Sequence, residues 1–552
     1  MNDKLNELAD LLFPHINKSS EDYENLYPYR KVSESAKVTR FAPSPTGFVH
    51  IGGLFSALIS ERLAHQSNGV FYLRIEDTDK KREIERGIDG IVNSLKNFGI
   101  NSDEGYFSET EETGDYKPYK QSDRMEIYHA FIKHLIKEGK AYPCFATTEE
   151  LDELRKNQES QNITPGYYGE WAVYRDKTFD EIKALLDQNK SFVVRLKSPG
   201  DGNKKIKFKD IIKGEIEMPE NVQDLVICKS DGLPTYHFAH VVDDHLMRTT
   251  HVIRGDEWLP SVPTHLQLFY VLGWKAPKYG HIPPILKQEG NSKRKLSKRK
   301  DPEAAVSFYH QEGYPVESVM EYLLNLANSN FEDWRKTNSG KNFNEFPFKS
   351  EKIGVSGALF DLVKLNDVSK NVISAMKADY VYQNLTDWAN SFDQEFYDLL
   401  TQNSEYTTNF LNIEREIKKP RRDIAKWSEV KDYYNYMFDK TFKTTSNFPQ
   451  NIAKDDLKGI LSGYLEIYNQ DDTKDEWFNR VKDFSENLDF TSDMKAYKAN
   501  PENFKGSITD TTTIIRLAVT GKSQTPDIYE IMKILGKDKV QSRLQNSLKT
   551  IG

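Results

Sequence analysis

A chain of 552 residues is too long for one hydrophobic core, so several domains are expected. Its 38% apolar content, mean hydropathy of −0.69 and lack of a long apolar run exclude a protein built of membrane-spanning helices. Two cysteines, Cys144 and Cys228, exclude a disulfide framework and a four-cysteine zinc site, so no protein-bound zinc is expected.

The N-terminus is polar and acidic, and Leu5, Leu8, Leu12 and Phe13 keep the spacing of a short amphipathic helix rather than a signal peptide. Residues 1–36 are therefore an extension ahead of the first strand signal. Residues 37–115 alternate strand and helix: a strand over 37–41, a helix opening near His50 with Leu54, Ala57, Leu58 and Leu63, a strand over 70–76, and a helix over 84–97. That alternation predicts a parallel, doubly wound sheet. From 116 to 229 the pattern changes to a helix over 128–137, a polar loop over 156–165, and strands over 192–196 and 206–210, which reads as an insertion. The sheet is expected to resume at 225–227 and 251–253, so the nucleotide domain comprises 37–115 and 230–290. Residues 291–360 carry a lysine-rich loop and a connecting segment, and 361–552 read as amphipathic helices rich in Tyr, Phe, Asp and Lys. No internal repeat or long low-complexity segment is evident.

Two stretches carry chemistry. Arg40-Phe41-Ala42-Pro43-Ser44-Pro45-Thr46-Gly47 runs from a strand through a proline-bracketed loop into His50-Ile51-Gly52-Gly53 at a helix start. Unsatisfied backbone N–H groups and the helix dipole favour a phosphate there. Gly52 and Gly53 let a flat base or a phosphate approach closely, and His50 can donate to a phosphate oxygen. Far along the chain, Lys295-Leu296-Ser297-Lys298-Arg299 offers ammonium groups to a leaving pyrophosphate. Alone, the first string is more often a turn before a helix, and the Lys/Arg run 292–300 a solvated face. In this order the two describe halves of one adenylating site.

With those residues, the chain resembles the class I aminoacyl-tRNA synthetases, 50–53 standing as the HIGH-type motif and 295–299 as the KMSKS-type motif. More narrowly it resembles the bacterial-type glutamyl-tRNA synthetases, on residues 40–53, on Tyr72-Leu73-Arg74-Ile75-Glu76-Asp77-Thr78-Asp79, on 233–259, and near the end on 515–521 and 528–536. The resemblance implies an α/β class I Rossmann-like nucleotide-binding domain with an inserted acceptor-binding domain, followed by a mainly α-helical anticodon-binding region. It implies a cytoplasmic monomer whose partners are tRNA-Glu, L-glutamate and ATP, with Mg2+ arriving alongside ATP rather than in a protein cage. The net charge of −8 does not oppose a tRNA partner, because local basic patches suffice and long-range repulsion is screened. The candidate patches are 293–300, 204–209 and 418–422, the last two more often a solvated surface.

Free glutamate presents an ammonium and two carboxylates, so its pocket wants an acid and at least two bases, preferably arginines with a bidentate fork. By resemblance, Arg40 and Tyr236 face the side-chain carboxylate, Glu76 the ammonium and Arg254 the α-carboxylate. Ser44 touches bound substrate, Glu257 the ATP ribose, and Ser297 and Lys298 the phosphates; His50, Lys295 and Lys298 are the candidate catalytic residues. His240, a further candidate for binding glutamate, stands where close relatives often carry asparagine; it can still donate to a carboxylate, and its charge is expected to vary with pH. Asp243-Asp244-His245 reads as a metal cluster or, preferably, as structure, and Arg74, Glu76, Asp77 and Asp79 have surface ion pairing as their alternative. Rival functions are a glutaminyl-tRNA synthetase, a shorter glutamate-activating relative without an anticodon region, a small-molecule nucleotidyltransferase and a non-enzymatic tRNA-binding protein.

Overall fold

A computed structural model describes residues 2–79, 81–297 and 299–551. They form two compact units, residues 1–308 with 320–361 and residues 309–319 with 362–552.

In the first unit the strand Val38–Phe41 is buried along its length and pairs in parallel with Val70–Leu73, which pairs in parallel with Glu104–Ser108. Glu111–Thr113 closes that edge antiparallel. On the other side, the Thr250 N–H donates to Val38 O and the Val38 N–H to Thr250 Oγ1. These bonds bring the parallel pair His251–Gly255 and Lys278–Ile282 alongside. The helix Ile51–His65 is apolar on nearly every face, as its position demands: Ile51, Leu54, Phe55, Ala57, Leu58 and Ile59 are all buried against the sheet.

Four expectations from sequence are corrected. The helix expected over 84–97 begins at Gly87, because Ile84 donates its N–H to Pro45 O and accepts from the Gly87 N–H, forming a turn that pins the proline-bracketed loop. A Cβ on Gly87 would stand 2.7 Å from Pro45 O. The loop expected over 156–165 is helical to Ser160: the helix Thr148–Ser160 starts on a Thr147–Glu150 capping box, and being largely solvated it carries little apolar stripe to read. The run 225–227 does not rejoin the nucleotide sheet. Val226–Cys228 pairs antiparallel with Val193–Leu196 beside Ala141–Cys144, making a separate sheet in the inserted region. A short apolar run says that it is buried, not which sheet buries it. Finally, the lysine-rich segment begins as a hairpin, Leu286–Glu289 against Ser292–Lys295, turning at Gly290 with φ +58°.

The N-terminal extension folds as the helices Asn2–Leu12 and Ser20–Leu26, the first packed on Met125–Lys137. Arg30 then clamps Glu104 with two bonds of 2.7 and 2.9 Å and donates through Nε to Met247 O. The patch 204–209 is one strand of the hairpin Lys205–Asp210 with Gly214–Pro219, where Glu217 pairs with both Lys205 and Lys207.

The second unit is mainly helical, with one short strand pair among the described residues, Phe490–Thr491 with Gly506–Ser507. Its core gathers Leu385, Phe396, Phe410, Tyr436, Ile460, Tyr464, Ile515 and Leu544. Among the described residues no helix is long and apolar enough to cross a membrane.

Candidate active site

A cavity of about 1100 Å³ opens at the carboxyl ends of the parallel strands, where doubly wound sheets bind ligands. Arg40, Ser44, His50, Gly52, Gly53, Glu76, Tyr236, Arg254, Glu257 and Lys295 line it together. His240 and Ser297 lie off its wall, and Lys298 lies outside the described residues.

His50 is the N-cap of the helix Ile51–His65, and its Nδ1 accepts the Gly52 N–H at 2.9 Å. That bond fixes the tautomer: the proton of a neutral ring sits on Nε2, the nitrogen turned away from the helix. A Cβ on Gly52 would stand 3.3 Å from His50 Nδ1, so this glycine protects the cap. One added to Gly53 would make only ordinary contact with Phe41 and Val49. The segment that follows the lysine-rich motif joins the first motif through the backbone: the Val306 N–H donates to Val49 O, and His50 bridges Ala305.

The lysine-rich segment is stapled by Asp301. This carboxylate accepts from Arg294 at 2.6 and 2.9 Å, from the Ser297 N–H at 2.9 Å, and pairs with Lys287 at 3.1 Å. The Arg294 bond, outweighing burial, holds Asp301 far below the usual carboxylate range. Leu296 is buried, while the half-exposed Lys295 reaches Glu257 at 3.7 Å, so the two candidate ATP contacts face each other across the cavity rim.

At the cavity floor, buried arginines alternate with carboxylates. Arg40 Nε lies 3.3 Å from Asp244 Oδ1, and Arg74 reaches the same oxygen at 2.7 Å and Glu76 at 2.9 Å. Behind them Arg124 holds Asp243 at 2.7 Å, with Gln121 and the Tyr128 hydroxyl donating to the same carboxylate at 2.8 Å. Burial opposes charge on Arg40 and Arg74, yet Asp244 keeps both above their ordinary values. Glu76 is pushed up by burial, which Arg74 and Arg40 only partly offset. The surface-pair alternative therefore fails for Arg74, Glu76 and Asp77, all buried, and holds for Asp79, which pairs with Arg82 near solvent. The metal alternative for 243–245 fails as well. Both aspartates are taken up by arginines, Asp243 by Arg124 and Arg74 and Asp244 by Arg40 and Arg74, and the His245 ring stacks at 3.8 Å on Trp274 while bonding Glu24.

His240 is fully buried, its Nδ1 3.1 Å from Asp244 Oδ2 and its Nε2 3.3 Å from the Tyr279 hydroxyl. Burial, then Arg254 and Arg40, holds it well below its ordinary value, so the expected pH-dependent charge is corrected to a neutral ring. Tyr236, pushed up to about 12 by burial, stacks between His240 and Trp258, whose ring centroid is 4.4 Å away. Arg254 lies over the Tyr279 ring at 4.7 Å. Sequence reasoning did not single out Trp258, Tyr279, His265, His281 or Asp210. A signal existed in the concentration of six of the twelve histidines, His237, His240, His245, His251, His265 and His281, within residues 237–281.

The family described as tRNA synthetases class I (E and Q), catalytic domain, matches residues 37–347, and an anticodon binding domain matches 381–548. A glutamate–tRNA ligase of Clostridium perfringens (strain 13 / Type A) is 52% identical, covering 97% of this chain and 99% of its own. One from Sorangium cellulosum (strain So ce56) is 43% identical, covering 96% and 97%. Among solved structures, a glutamate tRNA ligase from Elizabethkingia meningosepticum CCUG26117 in complex with its amino acid is similar at a TM-score of 0.74 and 27% identity, covering 94% of this chain and all of that one.

Proposed function

The chain belongs to the glutamate–tRNA ligase family of class I tRNA synthetases, and from that premise we propose how its cavity performs the reaction. L-glutamate is activated with ATP to glutamyl-adenylate and transferred to the terminal adenosine of tRNA-Glu, releasing diphosphate and AMP. The observation that carries the assignment of roles is the convergence of Arg40, Arg254, Glu76 and a helix N-terminus on one cavity.

Arg40 and Tyr236 receive the side-chain carboxylate, Glu76 the ammonium and Arg254 the α-carboxylate, which places the attacking oxygen toward the helix at His50. No protein nucleophile is required, since the substrate carboxylate attacks the α-phosphorus itself. Catalysis is then positioning and neutralisation of charge growing on the phosphates. His50 supports that role because its cap bond leaves Nε2 as the proton-bearing nitrogen. Lys295, from the stapled segment, and Lys298 supply positive charge, Ser297 and Ser44 flank the phosphates, Gly52 and Gly53 keep the floor open, and Glu257 takes the ribose. The Lys295–Glu257 pair must open for this, at little cost because both partners are half-exposed. Mg2+ enters with ATP.

We divide the chain as an extension over 1–36, a catalytic domain over 37–115 and 230–290, an acceptor-binding insertion over 116–229, a connecting region over 291–360, and an anticodon-binding region over 361–552. The chain acts as a monomer in the cytosol. Glutamate-dependent ATP–pyrophosphate exchange in the presence of tRNA-Glu tests the reading. Exchange is expected with the native chain and should fall at least ~100-fold in Lys298→Ala with glutamate affinity retained. Native-level exchange in that variant would remove Lys298 from the mechanism, and none in the native chain would leave a tRNA-binding protein.

A further inference from the structure

Arg254 differs from the other arginines of the cavity in what holds it. It stands on the strand His251–Gly255, directly opposite His281 on Lys278–Ile282. Its Nε donates to His281 Nε2 at 3.0 Å, and both terminal nitrogens lie 3.2 Å from His265 Nδ1. A weaker bond of 3.3 Å goes to Trp258 O. Among the described residues Arg254 makes no ion pair with a carboxylate.

Each histidine is set to accept. His281 Nδ1 lies 2.6 Å from Asp210 Oδ2, and that carboxylate also accepts the N–H groups of His281, Ile212 and Lys213. A carboxylate takes the proton-bearing nitrogen, so Nδ1 of His281 carries the hydrogen and Nε2 presents a lone pair to Arg254. His265 accepts at Nδ1 and therefore carries its hydrogen on Nε2, which lies 2.9 Å from His237 Nδ1. Burial lowers the proton affinity of all three rings, and Arg254 adds to that effect on each.

We propose that His265 and His281 are positioning residues for the amino acid: as neutral acceptors they fix the Arg254 guanidinium in the cavity wall without cancelling its charge. A carboxylate in either place would hold the arginine as firmly but neutralise it, and the incoming α-carboxylate would then meet an arginine already ion-paired. The inference rests on the assignment of Arg254 to the glutamate α-carboxylate.

The two rings accept at different atoms, which gives a test that packing alone cannot mimic. Asn reproduces an acceptor at the Nδ1 position and Gln one at Nε2. In tRNA charging assays His265→Asn should keep a KM for glutamate about tenfold lower than His265→Gln, and His281→Gln one about tenfold lower than His281→Asn. KM for ATP should not follow this pattern. The same preferred amide at both positions, no difference within either pair, or an equal rise in both KM values would overturn the proposal. If variants at one position fail to fold, the pair at the other decides. Arg254→Gln separates the two levels: a native KM for glutamate in it refutes the parent assignment, whereas a raised KM without the crossover refutes only the histidine roles.

Discussion

At the Arg40 end of the cavity, guanidinium charge is matched inside the protein: Arg40 and Arg74 share Asp244, and Glu76 pairs with Arg74. At the Arg254 end the same group is held by two neutral imidazoles and a tyrosine ring. The difference teaches that burying an arginine and keeping its charge available are separate problems. An ion-pair lattice solves the first and ties the residue to the fold. Neutral acceptors solve the second and leave its charge to the ligand.

Arg254→Gln is expected to have the largest effect on substrate, lowering kcat/KM for glutamate about 100-fold or more while KM for ATP changes little. Its urea midpoint should stay near that of the native chain, and a large drop would break the comparison. Arg40→Gln should weaken glutamate about 30-fold, more than ATP. It should also destabilise the first unit by about 3 kcal/mol, because Asp244 loses a buried partner, and this is measured as a lower urea midpoint. Equal weakening of both substrates would undo the pocket assignment. Asp301→Asn, away from both ends, should slow adenylate formation about tenfold by loosening the lysine-bearing segment. Glutamate affinity, followed by calorimetry, should hold, and a parallel loss would mean that the segment shapes the amino-acid end too.

The smallest effect at neutral pH concerns Glu76. Burial raises its proton affinity above the ordinary 4.5, so its charge is lost at a higher pH than for a solvated glutamate. An ammonium needs the ionised form, and kcat/KM for glutamate should therefore fall as pH drops through that raised value. Glu76→Gln should give a lower profile lacking this acid limb. Persistence of the limb in the variant would assign it to another group.

Much of the catalytic end was legible because its parts are local. A strand, a proline-bracketed loop and a helix start are read from neighbouring residues, and the candidates Arg40, Glu76, Tyr236 and Arg254 line one cavity. Contacts between distant segments were not legible. Nothing in 225–227 says that it pairs with Val193–Leu196, and nothing local to Asp210 says that it will fix a ring on Lys278–Ile282. His240 shows the same limit in electrostatics: its residue type predicts titration near neutrality, and only the surrounding arginines and its burial abolish it. The hairpin before the KMSKS-type motif was hidden because its strands are short and charged, with no apolar alternation to read.

The most direct test of the central claim is charging of purified tRNA-Glu and tRNA-Gln with radiolabelled glutamate and, separately, glutamine. Glutamate is expected on tRNA-Glu, and glutamine on neither tRNA. Glutamine charging would contradict the claim, because Arg40 would then not be reading a carboxylate.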